Sequence, residues 1–286
     1  MLLLAQHLFN GVVIGTSYAL IAMGLTMIFG VMNIANFAHG EFYMLGGFLA
    51  FYLVSFAGLN YFLSLLLAVL LVMGLAVALQ RGIFRQLRDK PLMTTALVTI
   101  GLSIFLEHLA LLLWGPQPQN IPNPFATRPM NLFGVYTTRL YLFAMATTAA
   151  LIVAGHLTIR KTRMGKAMRA TFQNKEAAAL VGIGIDRVYT FAFTFGAGLA
   201  AASGAVLGGF IPVEPSMGGA ATLKAFVVVI LGGMGSFAGS ILGGLLLGLA
   251  ESLGAGYLSS GYKDAIGFFA VTLVLLFRPE GLFRQG

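Results

Sequence analysis

The feature that most constrains this chain is the length of its apolar runs. Leu8 to Phe29, Tyr61 to Leu79, Leu92 to Trp114, Leu140 to Ile159 and Val188 to Phe210 each contain at most one Asp, Glu, Lys or Arg. Each approaches or exceeds the roughly 20 residues that an α-helix needs to cross a ~30 Å hydrocarbon layer. They are too long for the strands of a β-barrel and lack period-two alternation. Composition agrees. Of 286 residues, 58% are hydrophobic and 9% charged, whereas a soluble domain needs far more charge to cover its surface. The expected fold is an all-α membrane protein, a polytopic bundle of about eight transmembrane helices with broken or re-entrant segments.

A net charge of +8 raises the question of a nucleic-acid partner, and the charge distribution answers it. All basic residues except Arg128, Arg139, Lys224 and Lys263 fall within Arg81 to Lys90, Arg160 to Arg187, and the tail with Arg278 and Arg284. That clustering follows the positive-inside rule, so these segments are expected to be cytoplasmic and no nucleic acid is expected. Cysteine is absent, which excludes disulfides and thiolate metal sites. Met1 to His7 has no basic n-region, so no cleaved signal peptide is expected.

Helices are expected at 8–29, 41–57, 61–80, 92–114, 139–159, 188–211, 223–234, 237–255 and 262–277. Counting crossings between the basic segments places the N-terminus outside. The stretch Val31 to Gly40 has no Lys or Arg and reads either as a cytoplasmic turn or as a re-entrant segment. The Pro-rich loop 115–125 is expected outside. No long polar stretch divides the chain, so residues 1–286 form one domain.

Two glycine clusters interrupt the pattern, at Gly30 to Gly47 and at Leu231 to Gly244. Broken helices in two halves of a chain point to a transport site, because freed backbone groups are tolerated in a membrane only where protein or water satisfies them. The candidate path residues are Asn33, Asn36, His39, Glu41, Gly232, Gly233, Gly235 and Ser236. Two simpler readings stand beside this one: close helix packing at spacings such as Gly239/Gly243, and a solvated turn around Asn36 and His39. Glu107, His108 and Glu251 read as interfacial or interhelical. There is no metal signature.

Thr162 to Ile183 is the longest cytoplasmic loop and reads as two short helices. The second has Asn174 as N-cap, Glu176 in the first turn and Gly182 past its end. Ala178 and Val181 lie on its apolar face, and Lys166 and Arg169 stand at the edge. Such ordered helices point to a docked partner, with anchoring on anionic membrane lipid as the alternative. Gly165-Lys166 lacks the rest of a P-loop, and neither His-Glu-x-x-His nor Gly-x-Ser-x-Gly occurs.

Gly24 to Gly47, with Gly30-Val-Met-Asn-Ile-Ala-Asn-Phe-Ala-His-Gly-Glu41 at its centre, resembles the opening signature of LivH-type branched-chain amino acid permeases. Gly165-Lys-Ala-Met-Arg-Ala170 and Ala178-Ala-Leu-Val-Gly-Ile183 resemble that family's coupling loop. Lys224 to Ser236 and Arg278-Pro-Glu-Gly-Leu-Phe283 resemble its C-terminal half. The resemblance implies a multi-pass inner-membrane permease subunit of an ABC importer for leucine, isoleucine or valine. It also implies a second, homologous permease, two cytoplasmic ATPase subunits and a periplasmic solute-binding protein. Gly165, Lys166, Arg169, Glu176, Ala178, Val181 and Gly182 would then couple the permease to an ATPase. No cofactor is expected in this chain, since ATP and Mg would be bound by the ATPases, and the chain itself is not expected to be an enzyme. Relatives that carry urea or short amides share much of the signature. A different class, an ion-coupled secondary transporter, would rest on Glu41.

Overall fold

The computed structural model describes residues 2–88, 90–125, 129–132, 134–278 and 281–282. Arg128, Pro279, Glu280, Phe283 and Arg284, which figured in the charge pattern and the C-terminal motif, lie outside the described residues. The chain begins with α1 (Leu2–Met32), α2 (His39–Ser55), α3 (Tyr61–Leu79, prolonged by a π-turn to Phe84) and α4 (Leu92–Trp114). A short hairpin follows, β1 (Met130–Leu132) paired antiparallel with β2 (Val135–Thr137). Then come α5 (Arg139–Lys161), α6 (Arg163–Gln173), α7 (Lys175–Leu180), α8 (Ile185–Leu207), α9 (Met217–Gly232), α10 (Phe237–Tyr257) and α11 (Lys263–Phe277).

All nine expected helices are present, and the expected pair of loop helices is α6 and α7. Among the described residues, six helices are long and apolar enough to cross a membrane alone: α1, α3, α4, α5, α8 and α10. The other three bundle helices, α2, α9 and α11, have 17, 16 and 15 residues. The hairpin between α4 and α5 was not foreseen. It is held to the start of α1, where Tyr136 N donates to Gln6 Oε1 at 2.8 Å.

Two ends can be told apart. The basic end carries the Arg81–Lys90 segment, α6, α7 and the end of α11; the opposite end carries the hairpin and the Pro-rich loop. That loop is stapled to the segment after α8 by two Gln119–Val213 backbone hydrogen bonds (2.9 and 2.7 Å) and by Ile121 N to Gly208 O at 3.0 Å.

The packing follows from side-chain size. In α1 and α8, 78% of the most apolar window is buried, against 22% in α3 and α4. So α1 and α8 are the inner helices, while Phe62, Leu66 and Leu70 of α3 and Phe105 and Leu112 of α4 face outward, as lipid requires. The two inner helices cross at Gly24 and Gly196, where a Cβ on either would collide with the other's carbonyl. Without a hydrophobic drive between helices in lipid, such small-residue contacts are what lets them associate.

The arrangement repeats in inverted form. Helices α1 to α4 run from the opposite end to the basic end and back, and α8 to α11 make the same passage reversed. α1 packs on α10 as α8 packs on α3. In each half a long helix ends, an irregular segment enters the bundle, and a shorter helix completes the crossing. The irregular segments are residues 33–38 and 208–216. The residue 33–38 segment is thus neither a simple turn nor re-entrant: it is the irregular first part of a crossing that α2 completes. Its partner is 208–216, not the glycine cluster at 231–244, because that cluster builds the tight turn between α9 and α10 at the basic end.

Candidate functional site

The two irregular segments deliver the N-termini of α2 and α9 to the same point inside the bundle. Ser103, the middle residue of the 23-residue α4, marks its depth: its Oγ donates to Glu41 Oε1 at 2.7 Å. Gly40 and Gly218 meet there, too close for a Cβ on Gly40. From this point α2 runs to the opposite end and α9 to the basic end, so the positive ends of two helix dipoles converge. Both favour negative charge, and Glu41 is the carboxylate placed between them. It is fully buried, and its Oε2 has no hydrogen-bond partner.

The freed backbone is satisfied by neighbouring helices, as apolar surroundings demand. Asn33, the one described non-glycine residue with positive φ (53°), ends α1, and its N–H still reaches Phe29 O at 2.8 Å. Phe37 N donates to Thr99 Oγ1 at 3.2 Å, and Thr99 Oγ1 donates to Ala35 O at 3.1 Å. Gly40 N donates to Thr222 Oγ1 at 2.8 Å, and that hydroxyl shares its proton between Phe37 O and Gly218 O (3.1 and 3.0 Å). Asn36 Oδ1 accepts from Ala38 N at 3.1 Å, and His39 Nε2 donates to Ile21 O at 3.0 Å. Thr99 and Thr222 were missed from sequence, because a threonine inside an apolar helix gives no local sign of the backbone it will serve.

Above this junction, toward the opposite end, lies a vestibule of about 470 Å³. One face of α1, from His7 to Ile21, lines it over roughly 20 Å of helix. Tyr43 and Met217 form its floor, and Lys224, Glu251 and Asp264 stand on its wall. Lys224 Nζ donates to Tyr18 OH (2.7 Å), Glu251 Oε2 (2.9 Å) and Asp264 Oδ1 (2.9 Å). Tyr18 OH donates in turn to Glu251 Oε2 at 2.8 Å. Side-chain exposure is 12% for Lys224, 5% for Glu251 and 53% for Asp264. The sequence signal was available: Lys224 is a cation stranded between apolar residues, and an ionisable group within a span marks function by default.

The remaining sequence-selected residues lie at the basic end. Gly232 packs on the backbone of Gly239, and Gly233 and Gly235 take φ of +91° and +87° to turn the chain. Ser236 caps α10, its Oγ accepting from Gly239 N at 3.0 Å. The structure therefore brings Asn36, His39 and Glu41 together at the junction and places Gly232 to Ser236, with Asn33, at the far end of α9.

In the loop, Thr162 Oγ1 accepts from Gly165 N (3.0 Å) to start α6, and Asn174 Oδ1 accepts from Ala177 N (2.9 Å) to start α7. A Cβ at Gly165 would strike the Ile159 carbonyl, to which Arg169 also donates. Ala178 is buried (3% exposed), whereas Leu180 and Val181 are 88% and 78% exposed. Lys166, Glu176 and Gly182 are exposed. Phe172 of α6 reaches a small recess shared with Gly30, at the end of α1, and Gly235.

Comparison with known proteins places this arrangement. The family model described as branched-chain amino acid transport system, permease component, matches residues 7–277. The chain is 35% identical to the high-affinity branched-chain amino acid transport system permease protein LivH of Salmonella typhimurium, covering 98% of this chain and 95% of LivH. It is 34% identical to BraD, the corresponding permease protein of Pseudomonas aeruginosa, with the same coverage. LivM, a second permease protein named for the same Salmonella typhimurium system, is 27% identical over 93% of this chain and 67% of its own length. No solved structure matches. A match over nearly the whole chain, on a bundle with inverted halves and paired broken helices, shows that the chain belongs to the family of permease components of branched-chain amino acid transport systems.

Proposed function

We propose that this permease carries leucine, isoleucine or valine across the inner membrane of a cell, as one subunit of an ABC importer. The observation that carries the reading is the near full-length likeness to LivH, supported by a vestibule that ends on two opposed helix N-termini. The basic end faces the cytoplasm, where one of the importer's two ATPase subunits docks on α6 and α7. A solute-binding protein delivers solute to the opposite end. The likeness to both LivH and LivM supports pairing with a second, related permease. ATP binding draws the ATPases together, α6 passes the motion through Phe172 to the turn at Gly235, and α9 carries it to the junction at Glu41.

The test is co-purification from native membranes with identification of the bound subunits, followed by reconstitution. ATPase stimulation by a binding protein loaded with a branched-chain amino acid, and ATP-dependent uptake of that solute, are expected. Stimulation by urea or short amides alone would move the substrate assignment. Uptake abolished by a protonophore at constant ATP would replace the importer reading with an ion-coupled one.

A further inference from the structure

We infer that the Lys224–Asp264 pair in the vestibule is the docking point for the charged ends of a zwitterionic solute, which inserts between the two side chains. The inference rests on the amino-acid importer reading above. The carboxylate of the solute takes the Lys224 ammonium, and its ammonium takes Asp264.

The hydrogen-bond inventory leads there. An ammonium has three donors, and Lys224 spends them on Tyr18, Glu251 and Asp264. The bonds to Tyr18 and Glu251 lie inside the bundle. The third goes to a carboxylate that is 53% exposed, and an exposed ion pair holds only weakly. It is therefore the bond that opens. When it does, Glu251 and Tyr18 keep Lys224 in place, and the vestibule presents one cation and one anion to a solute that brings one of each.

Exchange of this kind adds no net charge at mid-bundle, where uncompensated charge is expensive. A neutral amide would break the pair and leave both ends poorly paired. An amine or a carboxylic acid alone would satisfy one end only. The rest of the wall supplies the other half of an aliphatic amino acid's chemistry: Ile14, Ile21, Leu207 and Met217 line the same space. The charged groups facing it are Lys224, Lys263, Glu214, Glu251 and Asp264, with His7 at the outer rim. Counting His7 as neutral, they sum to −1. Glu251 contributes a buried Oε1 that has no partner. That surplus favours arrival ammonium first.

The experiment combines binding to the full-length permease in nanodiscs with uptake by the complete reconstituted importer. The binding probes are L-leucine, 4-methylpentanoate (which lacks the ammonium) and 3-methylbutylamine (which lacks the carboxylate). Leucine at millimolar concentration should raise the thermal midpoint of the wild type, and neither analogue should. Asp264→Asn should lose the leucine shift and lower uptake about tenfold or more. Asp264→Glu, which keeps the charge, should restore both binding and uptake. Leucine uptake by Asp264→Asn within about twofold of wild type would overturn the inference. So would analogues that bind as leucine does, or Asp264→Glu failing as Asp264→Asn fails. Failure of the importer reading itself looks different: the wild-type complex would take up no branched-chain amino acid, and the inference would fall with it.

Discussion

At the scale of single residues, this permease keeps irregular backbone in its interior by giving Phe37 N and Gly40 N hydroxyl partners from other helices. Thr222 is the clearest case, because its hydroxyl accepts from Gly40 N and donates toward Phe37 O or Gly218 O. Thr222→Val keeps the shape and removes the hydroxyl, leaving a buried N–H unsatisfied at a cost of about 1–3 kcal/mol. The expected outcome is a lower thermal midpoint of the purified protein in detergent, with Thr222→Ser close to wild type. Equal midpoints for the valine and wild-type proteins would show that water or relaxation satisfies Gly40 instead. Glu41 obeys the same logic in charge. With two helix N-termini favouring a negative group at roughly 0.3–1 kcal/mol each, Glu41→Gln should weaken the fold modestly. Glu41→Lys, a cation at two positive ends, should prevent the folded protein from accumulating, as measured by monodisperse yield.

At the scale of elements, the loop helices show which parts of the site could be read from sequence. Local rules sufficed for α6 and α7: Asn174 caps, Glu176 sits in the first turn and Gly182 takes φ of +85° past the end. What local rules could not show is which face turns inward. Ala178 proves buried and Leu180 and Val181 exposed, because α7 is only six residues long and its orientation is set by packing on the bundle. The docking test therefore belongs at Val181. Val181→Glu puts a charge into a contact that should be desolvated, with a penalty comparable to a broken buried pair, about 2–5 kcal/mol or well over tenfold in ATPase affinity. Membrane insertion should be unaffected, and pull-down of the ATPase across a titration measures the change. Equal recovery would leave lipid anchoring as the role of the loop. Ala178→Glu should instead destabilise the loop itself. The glycine clusters were legible only in part, for a related reason. A tight turn and a mid-membrane break both need glycine, so composition alone could not tell the turn at Gly233 and Gly235 from the break that Gly208, Gly209, Pro212 and Pro215 introduce. At the turn, Gly235 lies against the Phe172 ring in a φ region that costs a side chain about 1–2 kcal/mol. Gly235→Leu should block uptake while the complex with the ATPase still assembles.

At the scale of the whole molecule, inverted halves and an odd number of passages fix the two termini on opposite sides. Nine passages, seven by single helices and two by an irregular segment plus α2 or α9, start at the end bearing the hairpin and finish at the basic end. The same count makes the basic loop, the α9–α10 turn and the end of α11 share one side, and the Pro-rich loop share the other with the N-terminus. Charge selects which side is which: the cytoplasmic side collects Lys and Arg, and the Arg81–Lys90 and Arg160–Arg187 segments lie together at one end, tied by Arg88 and Asp186. The absence of cysteine from the chain makes this directly testable, since single cysteines can be introduced without removing any. Leu180, which is 88% exposed on α7, and Asn120, exposed on the Pro-rich loop, sit at opposite ends. In intact cells whose outer envelope admits an impermeant thiol reagent, Asn120→Cys should be labelled and Leu180→Cys should not. Permeabilising the inner membrane should expose Leu180→Cys to the reagent. Labelling of Leu180→Cys in intact cells would invert the orientation and place α6 and α7 where no ATPase could reach them. Labelling of both positions in intact cells would mean that α5, the single passage between them, does not separate the two sides.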